Sequence, residues 1–254
     1  MKAHQRVIRE EKARVVGAMI SPIADLSTAV IKRISYHEAA KIILEYEWLG
    51  SMGTTEYAFG LHFGDVCGGV ACFGRTAGTN VYKSAFGEEY KKQVITLCRG
   101  ACVYWAHEHS ASRLIATACK LMGEYGYHAF VAYSDPAAGE IGTVYQACNW
   151  LYCGMTHPTE QFITPDGKTK DARLVHAYTR DRRGGTLKYK RTRAEQKEIM
   201  KAEGCVFIKG HAKHRYVGIY GEKHLRQTLR EHLQWPVLPY PKRLKEADEI
   251  TPGQ

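Results

Sequence analysis

Between residues 29 and 179 the hydrophobic pattern switches repeatedly between a period of two and a period of about 3.6, and this alternation limits the fold more than any other feature. Residues 29–34, Ala-Val-Ile-Lys-Arg-Ile, are rich in β-branched side chains and read as a strand. Ser35-Tyr-His-Glu38 is a capping box: the serine hydroxyl meets the amide three residues on, and the glutamate reaches back. It opens a helix with Ala39, Ile42, Ile43 and Tyr46 on one side, ending near Gly50. Residues 57–63 and 66–73 flank Gly64-Asp65 as a hairpin, and 74–92 form a polar, glycine-containing loop. Residues 93–99 are a strand. Ser110 can cap a helix carrying Leu114, Ala118, Leu121 and Met122, stopped by Gly123 and Gly126. A strand at 128–133, a short helix at 142–153 stopped by Gly154, and a strand at 173–179 follow. The order β-α-β-β-β-α-β-α-β predicts an α/β fold, a central mixed sheet with helices packed on it.

The flanks are different in character. Residues 1–28 are a charged lead-in, 29–180 the folded domain, and 181–254 a basic C-terminal extension with helices expected at 194–202 and 222–233 and a strand near 214–220. The formal net charge is +10. Residues 180–254 hold 18 Lys/Arg against 9 Asp/Glu, whereas residues 1–179 hold 18 against 17. A near-neutral body with a basic tail suits a polyanionic partner. There is no run of 18 apolar residues, so no membrane partner is expected, and the charged N-terminus predicts no export and a cytoplasmic location. None of the eight cysteines forms a Cys-x-x-Cys pair, which argues against a zinc ribbon and for reduced thiols.

Four segments can carry chemistry. His109-Ser110-Ala111-Ser112-Arg113 stands where a strand gives way to a helix, and the free amides and dipole of a helix N-terminus favour phosphate. Asp135 ends a strand, a place from which a carboxylate can enter a pocket. Tyr145, Asn149 and Tyr152 share one face if 142–153 is helical. Glu47 and Trp48 sit at a helix exit, where the carboxylate can take a proton and the indole can stack on a base. His107 and His109 flank Glu108, and without an obvious third ligand they read as anion contacts rather than a metal site.

In combination these pieces resemble the bacteriophage Mom family of DNA-modification proteins, with a GNAT acyltransferase-like fold. The resemblance rests on Gly142-Thr-Val-Tyr145, Asn149-Trp150, Tyr152 and Gly154, preceded by Tyr133-Ser-Asp135. It also rests on 47–52 (Glu-Trp-Leu-Gly-Ser-Met), Leu97-Cys98-Arg99 and Ser110-Ala-Ser-Arg113, with Lys213-His-Arg-Tyr216 and Pro239-Tyr-Pro-Lys242 in the tail. The usual GNAT turn is absent, and Glu108-His-Ser-Ala stands in its place.

The resemblance implies transfer from an acyl-CoA, acetyl-CoA in the first instance, to the exocyclic amine of adenine in double-stranded DNA, with a carbamoylmethyl group as final product. Asp135 or Glu47 would accept the proton, Tyr145 would donate to the departing thiolate or hold the carbonyl, and Arg99 would orient the substrate. Cys98, His109 to Arg113, Asn149 and Tyr152 fall in the cofactor region. Trp48 would receive an extruded base, and Arg182, Arg183, Lys188, Lys190, Arg191, Arg193, Lys213 and Arg215 would grip phosphates. The competing expectation is a GNAT acyltransferase acting on RNA, or on a small-molecule or protein amine.

Overall fold

The computed structural model describes all residues except 1, 24, 76–79, 168, 173, 174, 176, 177, 179–191 and 243–254. The chain runs α1 (His4–Val15), β1 (Val30–Ile34), α2 (Tyr36–Tyr46), β2 (Tyr57–Phe63), β3 (Val66–Gly74), α3 (Asn80–Tyr90), β4 (Val94–Cys102), α4 (Ser110–Leu121), β5 (Ala129–Ser134), α5 (Thr143–Ala147) and β6 (Leu151–Met155). It continues with β7 (Glu160–Ile163), β8 (Thr169–Asp171), α6 (Arg193–Ala202), β9 (Val206–Lys209), β10 (His214–Ile219) and α7 (Lys223–Glu231). Two compact units result, one of Met1–Gly154 with His214–Gln254, the other of Met155–Lys213. This division differs from the boundaries expected at 28 and 180. The strand expected in a C-terminal extension is an inner strand of the main sheet, and the lead-in holds a helix of the first unit.

The first unit is built on a central mixed sheet, as the alternating periods predict; it has seven strands in the order β1-β2-β3-β4-β5-β10-β6. Successive residues of β3 point to opposite faces and sort the helices. Ala71 and Phe73 pack with Leu114 and Ala118 of α4 and with Met122 just beyond it, while Val70 and Cys72 pack with Ile42, Ile43 and Tyr46 of α2. A third cluster joins Phe86 of α3 and Leu229 of α7 to Val94, Val131 and Val217. Each large apolar side chain buried this completely contributes about 1.5–3 kcal/mol.

One pairing sets the geometry of everything below. β4 and β5 are parallel and paired only at Val94↔Ala129, Ile95↔Phe130 and Thr96↔Val131. Beyond Thr96, β4 stays with β3 through Arg99, Gly100, Ala101 and Cys102. Beyond Val131, β5 stays with β10 through Tyr133 and Ser134. The two strands therefore part, and a splay opens between them. A register shift in β4 between its partners for Cys72 and Phe73 leaves Cys98 unpaired at the fork, as a bulge does.

Three local expectations are corrected. Residues 80–90, expected as loop, are helical; only Tyr82, Ala85 and Phe86 are buried there, and Gly87 at φ 71° breaks the period. The helix expected over 142–153 is five residues long. Cys148 is its C-cap, Asn149 turns left-handed at φ 56°, and the chain then enters β6. The cause is Trp150, 1% exposed, whose ring lies against Gly218 and whose Nε1 donates to Tyr220 Oη at 3.0 Å. A helix could not put Trp150 there, so Tyr145, Asn149 and Tyr152 do not share a helix face. At the described residues of 173–179, Val175 and Tyr178 are helical rather than extended.

The second unit carries a three-stranded antiparallel sheet, β8-β7-β9, with Phe162, Met200 and Cys205 in its small core. Its helix α6 starts on a capping box, Thr192 with Glu195. This unit holds 14 Lys/Arg against 7 Asp/Glu, most of the net charge of the protein. Among the described residues no helix is long and apolar enough to cross a membrane.

Candidate functional site

The splay between β4 and β5 brings together side chains that are far apart in sequence. α2 ends at Tyr46 because Glu47 takes an extended conformation as its C-cap. Glu47 is 8% exposed; its carboxylate accepts from Leu49 N (2.9 Å) and lies 3.8 Å from Arg99 Nε. Arg99 is held by the loop that follows: Nε donates to Ser51 O (2.6 Å), Nη2 to Ser51 Oγ (2.9 Å) and Nη1 to Cys98 O (2.6 Å). A Cβ at Gly53 would stand 3.1 Å from the guanidinium carbon, so this glycine lets the loop close over Arg99. Cys98 Sγ donates to Cys72 O and lies 3.7 Å from Thr55 Oγ1; burial pushes its thiol pKa up.

Tyr145 comes from α5, which follows the other strand. Its ring stacks on Trp150 at 5.2 Å and tilts against Tyr216 at 5.3 Å. Burial of the phenol pushes its pKa up, and the ionisable groups around it push the same way: Glu140 first, then Cys148, Glu47 and Cys98. Tyr145 thus lies within electrostatic reach of Glu47 and Cys98. Glu140, whose amide donates to Asp135 O, joins the group without any motif to mark it in the sequence. Asp135 caps the short turn 136–138 through Oδ1, which accepts from Ala137 N at 3.0 Å.

The mouth of the splay meets the N-terminus of α4. His109, not Ser110, is the N-cap, and no side chain caps the helix. Arg113 N is bonded to His109 O at 3.1 Å, so the amides of Ala111 and Ser112 precede the first helical bond. Ser110 is fully buried and its hydroxyl has no hydrogen-bond partner among the described residues. Ser112 Oγ donates to His109 O, and Cys148 Sγ donates to Ser112 O, which ties α5 to this turn. His109 is exposed and pairs loosely with Glu108 at 3.6 Å, and Arg113 reaches Ala29 O at 3.5 Å.

A free helix N-terminus with an orphaned buried hydroxyl fits the diphosphate of a coenzyme A thioester. Among the described residues no group of three or more His, Cys, Asp or Glu could hold a metal. Two clefts among the described residues, one between α1 and α2 and one beside Lys120, His128 and Arg226, are lined by none of the candidate site residues.

Residues 28–242 match the model of the Mom protein family. The chain belongs to the Mom protein family. The central mixed sheet expected of a Mom-family chain is present, with its helices on both faces. No curated protein matches the chain. Among solved structures, an acetyltransferase of Bacillus subtilis in complex with CoA is 10% identical, with 76% of this chain and 98% of that chain covered and a TM-score of 0.40. An N-acetyltransferase from Staphylococcus aureus Mu50 is 12% identical, with 76% and 99% covered and a TM-score of 0.39. At these scores the likeness adds nothing to what strand order and splay already show.

The remaining expected residues of this Mom-family protein are spread more widely. Asn149 is exposed, and Tyr152 lies in β6 with its hydroxyl 3.0 Å from His214 Nδ1. Trp48 is half-buried, 5.9 Å from the ring of His4. Arg193 donates to Ala172 O within the second unit, where Lys213 also lies. Arg215 belongs to the first unit, donates to Cys153 O at 2.8 Å and packs on Trp235 at 3.8 Å, so its guanidinium is engaged internally. Arg182, Arg183, Lys188, Lys190 and Arg191 fall outside the described residues.

Proposed function

We propose that this protein transfers an acyl group from an acyl-CoA, acetyl-CoA in the first instance, to the exocyclic amine of adenine in duplex DNA. The observation that carries the reading is the juxtaposition at the fork. Glu47, Arg99 and Cys98 stand on the β4 side, Tyr145 enters from the β5 side, and a helix N-terminus with a buried, unpartnered Ser110 lies at the mouth. The amides of Ala111 and Ser112 would hold the diphosphate of the donor, whose thioester supplies an activated carbonyl when bound.

Adenine's amine is a weak nucleophile, because its lone pair is delocalised into the ring. It needs a base for the proton lost as nitrogen bonds to the carbonyl carbon. Glu47 is placed for that task, and Arg99 beside it keeps the carboxylate oriented. Asp135, the other candidate base, accepts from Ala137 N just as Glu47 accepts from Leu49 N, and stands as the alternative. Tyr145 has its pKa raised, so it keeps its proton at neutral pH. It therefore serves by donating a hydrogen bond to the carbonyl oxygen as that oxygen gains charge, or to the sulfur as the C–S bond breaks. Giving the proton away would leave a costly phenolate among Glu140 and Glu47. The carbamoylmethyl product that the resemblance implies contains an amide nitrogen that an acyl donor does not supply. Acyl transfer is accordingly the step assigned to these residues.

The duplex would be held by the second unit and the basic run 180–193, which carry the excess charge that a polyanion requires. Trp48 beside Glu47 offers a ring on which an extruded base can stack. Mass spectrometry of nucleosides from the DNA of cells producing the protein tests the proposal. An acyl-derived mass addition on deoxyadenosine is expected. Unmodified DNA together with acylated RNA or acylated small amines would replace this reading with its competitor.

A further inference from the structure

α1 lies outside the span that matches the family, residues 28–242, yet it makes some of the most specific contacts near the splay. At its start, a Cβ on Gly139 would come within 2.7 Å of Lys2 O, so the chain leading into α1 rests directly on the loop that follows β5. One turn on, Gln5 Nε2 donates to Gly100 O of β4 at 2.7 Å. A further turn on, Arg9 Nη2 donates to Ala106 O (3.0 Å), Tyr104 O (3.3 Å) and Ser21 Oγ (3.0 Å). Ser21 N donates to Tyr104 O at 2.8 Å, which doubles the hold on that carbonyl. α1 therefore runs from the loop after β5 to the loop after β4, across the ends of the two strands that part.

The way α1 is attached is as informative as its position. Ala13 is its one buried residue, and Ile8 packs on the α2 cluster. The ion pairs Arg6–Glu10 and Lys12–Glu45 are exposed and weak. What fixes α1 is thus a set of directional bonds to carbonyls, with little burial behind them. Those carbonyls belong to β4 and to the residues just before α4, which decide where the N-terminus of α4 sits.

We propose that α1 is a strap across the β4/β5 splay and that Arg9 is a positioning residue, holding loop 103–109 so that the N-terminus of α4 stays ready for a diphosphate-bearing ligand. The ligand half of this inference rests on the acyl-donor reading above; the strap itself rests on geometry alone. All three bonds leave from one nitrogen, Nη2, and a lysine stem ends one bond short of it, so Arg9→Lys keeps the charge but not the reach.

The test uses the full chain with Arg9→Ala, Arg9→Lys and Gln5→Ala. Amide exchange over 103–112 is followed without ligand, and acetyl-CoA affinity by calorimetry. Arg9→Ala is expected to speed exchange in 103–110 and weaken acetyl-CoA about tenfold, the size of one lost charge-assisted bond. Arg9→Lys should resemble it, Gln5→Ala should do less in the same direction, and duplex affinity should stay within about twofold. Unchanged exchange would overturn the strap. Faster exchange with wild-type acetyl-CoA affinity would overturn the positioning role. A parallel loss of duplex affinity would show general loosening of the fold and overturn both. Wild-type protein that fails to bind acetyl-CoA, while Arg9→Ala still speeds exchange, would overturn the acyl-donor reading and leave the strap standing.

Discussion

Replacing Tyr145 by Phe separates chemistry from structure in this site. Among the described residues the Tyr145 hydroxyl has no hydrogen-bond partner, whereas its ring stacks on Trp150 and tilts against Tyr216. Phenylalanine keeps the ring contacts and removes only the hydroxyl, so stability should change by no more than about 0.5 kcal/mol. The rate should respond quite differently. Loss of one donor to a developing oxyanion costs about 10²–10³-fold, or roughly 2.7–4 kcal/mol of transition-state stabilisation. Acetyl-CoA affinity, which we propose is set at the α4 N-terminus, should be unchanged.

The pH dependence sharpens the test. The folded-state pKa of Tyr145 is raised above the ordinary phenol value of about 10, so its proton is held more tightly in the folded protein. Its contribution to stability is complete below about pH 10 and lost only as pH rises toward the folded value. No decline in rate between pH 7 and 9 should come from this group. Single-turnover modification of a duplex, read by nucleoside mass spectrometry beside a thermal melt, measures all of this. A Tyr145→Phe rate within about threefold of wild type, at unchanged melting temperature, would refute the assigned role, since a catalytic donor is worth far more.

Other expectations follow from the same geometry. Ser112→Glu puts a carboxylate beside the free amides of α4 and should weaken acetyl-CoA by at least about tenfold in calorimetric titration, while the fold survives. Changing Arg182, Arg183, Lys190 and Arg191 together to Ala should weaken binding to all duplex sequences alike. The salt slope should fall by up to ~0.9 for each phosphate that is no longer neutralised, as binding curves at several salt concentrations would show. Gly218→Ala places a Cβ 2.4 Å from the Trp150 ring; the overpacking should cost about 1–3 kcal/mol in chemical denaturation and reduce activity as well, because Trp150 supports Tyr145.

What can be read from the sequence, and what cannot, follows a physical division. The α2 capping box, the hairpin at Gly64 and the apolar face of α4 are local signals, and all three stand in the structure. The helix at 143–147 is visible in the sequence, but its early end is not. That end is dictated by the slot for Trp150 beside Gly218, 68 positions further along the chain, and no local period encodes it. α3 is hidden because only three of its residues face the core and Gly87 interrupts them. At the candidate site, Glu47, Arg99, Cys98 and Tyr145 are each expected from the sequence, whereas how near they come to one another depends on β4 and β5 parting after three paired residues. Glu140 and the α1 contacts carry no motif: an acidic loop residue and a polar helix look like any solvated surface until tertiary contacts place them.

The position of β10 has a consequence for how the chain assembles. β10 is hydrogen-bonded to β5 along its whole length, and its sheet neighbour on the other side is β6, yet residues 155–213 intervene in the chain. During synthesis the first 154 residues can gather their hairpin and α4 early, but β5 keeps an open row of amides and carbonyls until 214–219 arrive. An open edge bearing Phe130 and Ala132 invites pairing with other chains. Closing that gap is a high-contact-order step, so the final strand, rather than the early core, should govern how fast the sheet becomes complete.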